Sequence, residues 1–171
     1  MIQPQPNLKP IDLPIKQKIA DHYDRLAADR PRFRARNRYY YRQLIEYLRF
    51  IVPPEKRVLE VGCADGYVLD RLEPSRGVGI DLSEKMIEAA RARHANRGHL
   101  EFFQGDAEAI IYSEQFDYIL LSDVLGNLLD IQRVLENLQS ACTDQTRIVL
   151  HYHSILWEPV FKVCERIRLK M

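Results

Sequence analysis

The sequence predicts an α/β fold built on a doubly wound, mostly parallel sheet. From residue 57 onward, short apolar runs of strand length alternate with segments whose apolar residues have helical spacing. A glycine-bearing turn follows the first run, and doubly wound sheets bind ligands at such turns. The chain has 171 residues, of which 46% are hydrophobic and 29% charged, enough for one domain of this kind.

The predicted core, residues 55–171, follows an N-terminal helical segment or lid over residues 1–54. Residues 1–14 are rich in proline and should form an extended lead-in. Helical spacing then continues to Pro31, which is expected to end or interrupt the first helix. A second helix is predicted over about 34–50, before a pair of prolines.

Five strands are predicted in the core, at 57–61, 77–80, 100–104, 118–121 and 147–152. A helix through Leu72 should follow the first strand, and a helix after Ser83 should bury Met86, Ile87 and Ala90. Further helices are predicted at about 131–141 and 157–169. Ser83 is a suitable N-cap for the helix that follows it. Alternating strands and helices indicate a parallel sheet with right-handed crossovers.

Charge and cysteine content argue against several classes of function. The net charge of +1 gives no overall attraction to nucleic acid or anionic membranes, although residues 1–56 hold twelve basic residues against six acidic ones. The cysteines Cys63, Cys142 and Cys164 have neither disulfide nor zinc-site spacing, so no metal is expected. Without a signal pattern or a long apolar run, we expect a cytoplasmic protein with no membrane span.

The turn after the first strand is the most informative segment. Residues 58–66 read Val-Leu-Glu-Val-Gly-Cys-Ala-Asp-Gly, and Gly62 and Gly66 would let the backbone bend tightly and approach a ligand. A tight turn without a ligand is the simpler alternative. The dinucleotide pattern G-x-G-x-x-G does not fit, because Ala64 and Tyr67 occupy its second and third glycine positions.

An acidic residue follows each of the next three predicted strands. Asp81 closes the second strand nineteen residues after Gly62, where a carboxylate can accept hydrogen bonds from two ribose hydroxyls. It could instead merely cap the following helix. Asp106 follows the third strand, in what could also be a surface turn, and Asp123 follows the fourth.

These four segments, spanning about residues 55–155, resemble the motifs of class I S-adenosylmethionine (SAM)-dependent methyltransferases. The turn is similar to the E-x-G-x-G-x-G pattern of the family, with Ala64 at the middle glycine. The resemblance implies a Rossmann-like core, SAM as cofactor and S-adenosylhomocysteine (SAH) as product. It also implies that Glu60 orders the loop or holds the methionine amino group through water.

The resemblance assigns the remaining contacts in the same way. Asp106 would accept from the adenine amine, the Ala107 backbone N–H would reach the ring, and Leu82 and Met86 would lie beside it. An Arg or Tyr of the N-terminal segment would contact the SAM carboxylate. The complete set of expected cofactor-binding residues is Glu60, Gly62, Cys63, Ala64, Gly66, Asp81, Leu82, Met86, Asp106, Ala107, Ser122, Tyr23 and Arg38.

The acceptor is constrained mainly by absent motifs. The fourth strand is followed neither by Asn/Asp-Pro-Pro-Tyr nor by Pro-Cys, which disfavours methylation of base amino groups and of cytosine C5. A small-molecule acceptor, methylated at oxygen, carbon or nitrogen, is the leading hypothesis, with His153 or Asp123 as general base. Two alternatives are an RNA methyltransferase, suggested by the arginines of the N-terminal segment, and a SAM- or SAH-binding module without activity.

The end of the sequence departs from the family pattern. Class I methyltransferases usually add a β-hairpin, strands six and seven, after the last predicted helix, whereas this sequence ends at Met171. We therefore expect a core without that hairpin. The fifth strand would then be an exposed edge, through which two copies could form a homodimer.

Overall fold

A computed structural model describes residues 2–4 and 13–152. Three helices come first: α1 (Leu13–Leu26), α2 (Arg30–Arg36) and α3 (Arg38–Ile51), with a 3-10 turn at Ala27–Asp29. In α3, Leu44 and Leu48 are buried and anchor the helix on the core. The helical segment therefore packs on the rest of the molecule through an amphipathic face.

The main sheet confirms the predicted fold class. Its five strands are β2 (Arg57–Val61), β3 (Arg76–Asp81), β4 (Leu100–Gln104), β6 (Tyr118–Ser122) and β7 (Arg147–His151). All pair in parallel, in the order β4-β3-β2-β6-β7. The chain fills one side of β2 first and then the other, so the strand order reverses beside β2, which is where such sheets bind ligands.

Helices cover both faces of this sheet, as a doubly wound fold requires. The core helices are α4 (Tyr67–Arg71), α5 (Glu84–Arg93) and α6 (Ile131–Leu138). One apolar cluster unites α3, α4 and α5 with Val58, and the opposite cluster unites α6 with Leu59. Neighbouring residues of β2 thus point to opposite cores, which explains why Val58, Leu59 and Val61 are all buried apolar residues.

A small antiparallel sheet was not predicted. β1 (Ile2–Pro4) pairs with β5 (Ile110–Tyr112), and both lie in segments where no strand was expected. Each strand has three residues, too few to show a periodic pattern in the sequence. The extended lead-in predicted for residues 1–14 therefore contains a short strand.

Pro31 interrupts the helical segment, as predicted. The helix α1 ends at Leu26, and the 3-10 turn at Ala27–Asp29 separates it from α2. Pro31 itself lies in the first turn of α2, a position where its missing N–H leaves no hydrogen bond unmade. The helical structure is interrupted at the 3-10 turn before α2 and again at Asn37. The single helix predicted over 34–50 is consequently two helices.

The strand β7 lies at one edge of the described sheet, and Ile148 and Leu150 on it are exposed. The homodimer through this edge remains a prediction. The helix predicted over 157–169, with Cys164, and the candidate base His153 lie outside the described residues. Within the residues described, no helix has the length and apolar character needed to cross a membrane.

Candidate cofactor and active site

A cavity of about 400 Å³ lies at the carboxyl ends of the central strands. Its volume is within the usual range of small-molecule sites. The sheet side contributes Val61, Gly62, Ala64, Ile80, Asp81, Leu82, Met86, Gly105, Asp106, Ala107, Ser122, Asp123, Val124, Asn127 and Leu128. The N-terminal helices contribute Lys16, Ile19, His22, Tyr23, Leu26, Arg30, Phe33, Asn37, Tyr40 and Tyr41.

The glycine turn needs its glycines for packing as well as for backbone conformation. Gly62 has φ +76°, and a Cβ placed there would come within 2.6 Å of Val124 Cγ2. Gly66 has φ +70°, and its Cβ would come within 2.5 Å of the Phe102 ring. The backbone N–H groups of Gly62 and Cys63 both donate to the Ile80 carbonyl. These contacts hold the turn against the end of β3.

Asp81 fixes the same turn through its carboxylate. Oδ2 accepts from the Ala64 N–H at 2.8 Å, and Oδ1 accepts from the Ser83 N–H at 3.0 Å. Burial raises the pKa of Asp81, while these two hydrogen bonds lower it in part. Each carboxylate oxygen can accept a second hydrogen bond. Ser83, as predicted, is the N-cap of α5 and accepts from the Met86 N–H, so Asp81 does not cap that helix itself. The arrangement is compatible with the predicted ribose contact.

Three residues of the predicted set support the turn without lining the cavity. Glu60 is buried and accepts from the Leu69 N–H at 3.1 Å, which ties β2 to α4. Burial raises the pKa of Glu60 well above its ordinary value. Cys63 and Gly66 are also buried. Of the two roles that the resemblance implies for Glu60, the geometry favours ordering of the loop.

The other end of the cavity brings Leu82, Met86, Asp106 and Ala107 together. Asp106 Oδ1 accepts from Lys16 Nζ at 3.0 Å. Lys16 also forms an ion pair with Glu108 Oε1 at 2.5 Å. Both partners of this second pair are buried, so it attaches α1 to the sheet side of the cavity. Sequence reasoning missed Lys16, because a single lysine in a helical pattern normally lies on the solvated face.

The two residues predicted in the N-terminal segment have different outcomes. Tyr23 lines the cavity, where its hydroxyl oxygen accepts from Asn127 Nδ2 at 2.8 Å and burial raises its pKa. Arg38 does not reach the cavity and instead lines a second pocket. Arg38 is the first residue of α3, and Tyr40 and Tyr41 are the residues of that helix turned toward the cavity. Arg30 lies in the cavity wall instead.

Arg30 gives a specific reason to place an anion in this cavity. Its Nε is buried and has no hydrogen-bond partner among the described residues. A buried guanidinium N–H without a partner is costly, and a carboxylate would satisfy it with a charge-assisted hydrogen bond. SAM carries such a carboxylate on its methionine part. The cavity therefore fits the cofactor that the sequence predicts.

A polar cluster lies at the end of β6. Tyr40 Oη donates to Asp123 Oδ2 at 2.7 Å, and His151 Nδ1 lies 3.3 Å from Asp123 Oδ1 and 3.4 Å from Ser122 Oγ. Burial, followed by the charge of Asp123, raises the pKa of Tyr40, so this phenol stays protonated and can donate. Sequence reasoning named Asp123 and Ser122 but missed Tyr40 and His151. The alternation of His151 with His153 in the sequence was the available signal, but His153 was chosen.

The strand order, the glycine turn after β2, the acid ending β3 and the cavity between them define a class I, Rossmann-like methyltransferase core that uses SAM as cofactor. Residues 33–166 match the family model described as "Methyltransferase domain". This chain belongs to that methyltransferase family.

Similar proteins carry out related reactions. A malonyl-[acyl-carrier protein] O-methyltransferase of Bacillus anthracis is 34% identical over 86 residues, which are 48% of this chain and 32% of that protein. A fatty-acid O-methyltransferase of Mycolicibacterium smegmatis is 41% identical over 70 residues, which are 38% and 25% of the two chains. The matched region thus spans a third or less of these relatives.

Solved structures agree with the fold. DhpI in complex with SAH superposes with a TM-score of 0.68 at 22% identity, covering 80% of this chain and 68% of DhpI. A possible histamine N-methyltransferase from Thermotoga maritima gives a TM-score of 0.68 at 22% identity, covering 84% and 68%. At this level of identity the likeness concerns the fold alone.

Proposed function

We propose that this protein transfers the methyl group of SAM to a hydroxyl oxygen of a small-molecule acceptor. The single observation that carries the proposal is the carboxylate of Asp123, which lines the cavity at the end of β6 between the Tyr40 hydroxyl and His151 Nδ1. The O-methyltransferase names of two relatives support oxygen as the atom methylated. Carbon and nitrogen remain the alternatives.

Residues on both sides of the cavity would hold the cofactor. Asp81 would accept from the ribose hydroxyls, Asp106 from the adenine amine, and Leu82 and Met86 would pack beside the ring. Arg30, in place of Arg38, would bind the methionine carboxylate through its unpaired Nε–H. When bound, SAM supplies an electrophilic methyl group on a sulfonium sulfur.

Asp123 would orient the acceptor and take its proton. Tyr40 and His151 each contact one oxygen of the carboxylate and thereby fix its direction. Asp123 has φ +55°, a conformation that costs energy outside glycine and is held here by the surrounding contacts. Positioning of this kind can supply much of the rate in an in-line displacement. Proton removal by a held carboxylate would add to it.

The same carboxylate favours a neutral hydroxyl over a carboxylate acceptor. Asp81, Asp106 and Asp123 all line the cavity, whereas Lys16 is already paired with two carboxylates. A carboxylate placed against Asp123 would be repelled by its negative charge. We therefore expect alcohols or phenols to be methylated in preference to fatty acids.

The test is a methyl-transfer assay of the full protein with radiolabelled SAM against matched alcohols, phenols and carboxylic acids. In Asp123→Asn, turnover should fall about 100-fold or more because a general base is lost, whereas SAH affinity measured by calorimetry should be unchanged. Tyr40→Phe and His151→Gln should lower turnover less, because they only position Asp123. Asp117→Asn, at the opposite end of β6, is the matched control.

Each alternative has its own result. Normal turnover in Asp123→Asn with a large loss in His153→Ala would move the base to His153. Exclusive methylation of carboxylic acids would contradict the hydroxyl acceptor. SAH binding without transfer to any acceptor would favour a binding module.

A further inference from the structure

A second pocket, of about 530 Å³, lies outside the cofactor cavity, between the N-terminal helices and the helices that follow β2 and β3. Six arginines line it: Arg34, Arg38, Arg42, Arg49, Arg71 and Arg93. They come from α2, α3, α4 and α5, so the chain brings them together only on folding. This arginine pocket takes no part in the proposed methyl transfer.

The pocket holds more positive charge than the described residues neutralise. Three carboxylates pair with four of its six arginines: Asp65 with Arg34 and Arg93, Glu46 with Arg42, and Glu73 with Arg49. Among the described residues, no carboxylate pairs with Arg38 or Arg71. Three positive charges are thus uncompensated at one place, although the whole chain has a net charge of only +1.

The wall of the pocket is held rigidly. Arg34 is buried, donates twice to Asp65 at 2.9 and 2.8 Å, and stacks 4.3 Å from the centroid of the Tyr67 ring. Arg71 and Arg93 lie 5.5 and 5.7 Å from the same centroid. Guanidinium groups fixed in this way lose little side-chain entropy when they bind an anion.

We propose that the arginine pocket binds a small ligand with clustered phosphate groups, such as a diphosphate. Arginine forks match phosphate oxygens in bidentate geometry, and the convergence of Arg34, Arg71 and Arg93 on the Tyr67 ring favours a compact polyanion over an extended chain. Arg38 and Arg71 supply the donors that have no carboxylate partner. The proposal is independent of the acceptor and of the catalytic role of Asp123.

The site is separate from the cofactor cavity but is close to its glycine turn. Asp65 faces the arginine pocket through Arg34 and Arg93, whereas the adjacent Ala64 lines the cofactor cavity. Because both cavities are near this turn, the binding of a phosphate ligand to the arginine pocket must be measured with the cofactor cavity filled. Saturating SAH serves that purpose.

The experiment is calorimetric titration of the SAH-saturated full protein with inorganic pyrophosphate at low ionic strength. The double variant Arg38→Gln/Arg71→Gln should bind pyrophosphate about tenfold more weakly or worse, because two charge-assisted contacts are lost. The matched control Arg25→Gln/Arg147→Gln removes the same charge from exposed positions elsewhere and should bind like the original protein. The affinity should also fall as salt is added.

Equal affinities in the two double variants, or no pyrophosphate binding at low salt, would overturn the proposal. A parallel titration with a single-stranded RNA oligonucleotide covers the other polyanion. RNA binding that is sensitive to Arg38→Gln/Arg71→Gln, together with absent pyrophosphate binding, would equally overturn it in favour of an RNA surface. Unchanged SAH affinity in both double variants would show that the cofactor cavity is intact and that any loss belongs to the arginine pocket.

Discussion

The two walls of the cofactor cavity are held in place by different kinds of interaction. On the sheet side, the parallel register places Val61 opposite both Ile80 and Leu121, so residues just after three strands meet at one edge. On the helical side, Lys16, Arg30 and Tyr40 reach the cavity from three separate helices. The sheet wall is fixed by backbone pairing, and the helical wall is fixed by individual side-chain contacts.

This difference makes the two walls unequally sensitive to substitution. Asp81 and Gly62 act on the backbone of the turn, so the sheet wall depends on conformation. The helical wall depends on ion pairs and hydrogen bonds such as those of Lys16 with Asp106 and Glu108. We therefore expect charge changes to loosen the helical wall and steric changes to damage the sheet wall.

The largest loss of stability is expected for Lys16→Met. It leaves the buried Glu108 without its cation, and breaking a buried ion pair typically costs about 3–5 kcal/mol. Lys18→Met, two residues along the same helix at an exposed position, should change stability by less than about 0.5 kcal/mol. Urea unfolding of both variants measures the free energies. Equal stability of the two would show that α1 is not held by this ion pair.

A smaller loss of stability is expected on the sheet side of the cavity, for Gly62→Ala. The added methyl would meet Val124 at 2.6 Å with φ at +76°, which should cost roughly 1–3 kcal/mol. Gly98→Ala is the control, because a Cβ there meets no atom within 4 Å. Thermal unfolding with and without SAH would separate loss of stability from loss of binding. A Gly62→Ala protein as stable as Gly98→Ala would contradict the steric argument.

The same contrast explains what could be predicted from the sequence. Gly62, Asp81 and Asp106 were placed correctly at the cavity edge, because strand ends are visible as sequence positions and parallel strands align them. Arg38 was predicted to contact the cofactor, whereas the structure places Arg30 in the cavity wall. Eight arginines precede residue 50, and the phase of each helix decides which of them faces the cavity. The break at Ala27–Asp29, directly before the helix that carries Pro31, resets that phase. β1 and β5 were missed because three residues give no periodicity.

The assignment of Arg30 can be tested with two ligands. Arg30→Gln should weaken SAH binding about tenfold, the value of one charge-assisted hydrogen bond. It should leave 5′-methylthioadenosine binding unchanged, because that compound lacks the methionine carboxylate. Arg38→Gln should affect neither ligand. Calorimetry that showed the loss in Arg38→Gln instead would restore the residue predicted from the sequence.

The smallest effect, and the one that depends on pH, is expected at Glu60. Burial raises the pKa of Glu60 in the folded protein, so the folded state holds its proton more tightly than the unfolded chain. Its contribution to stability is then complete below the ordinary glutamate pKa and is lost as the pH rises through the raised value. Glu60→Gln keeps an oxygen to accept from the Leu69 N–H and removes this titration.

Glu60→Gln should therefore match the original protein in acid and become the more stable of the two as the pH rises toward 8. Urea unfolding between pH 5 and pH 8 measures the difference. Glu88→Gln, on the exposed face of α5, is the matched control. If Glu60→Gln instead became less stable than the original protein as the pH rose, the charged carboxylate itself would hold the glycine turn. The sheet wall would then depend on electrostatics, as the helical wall does.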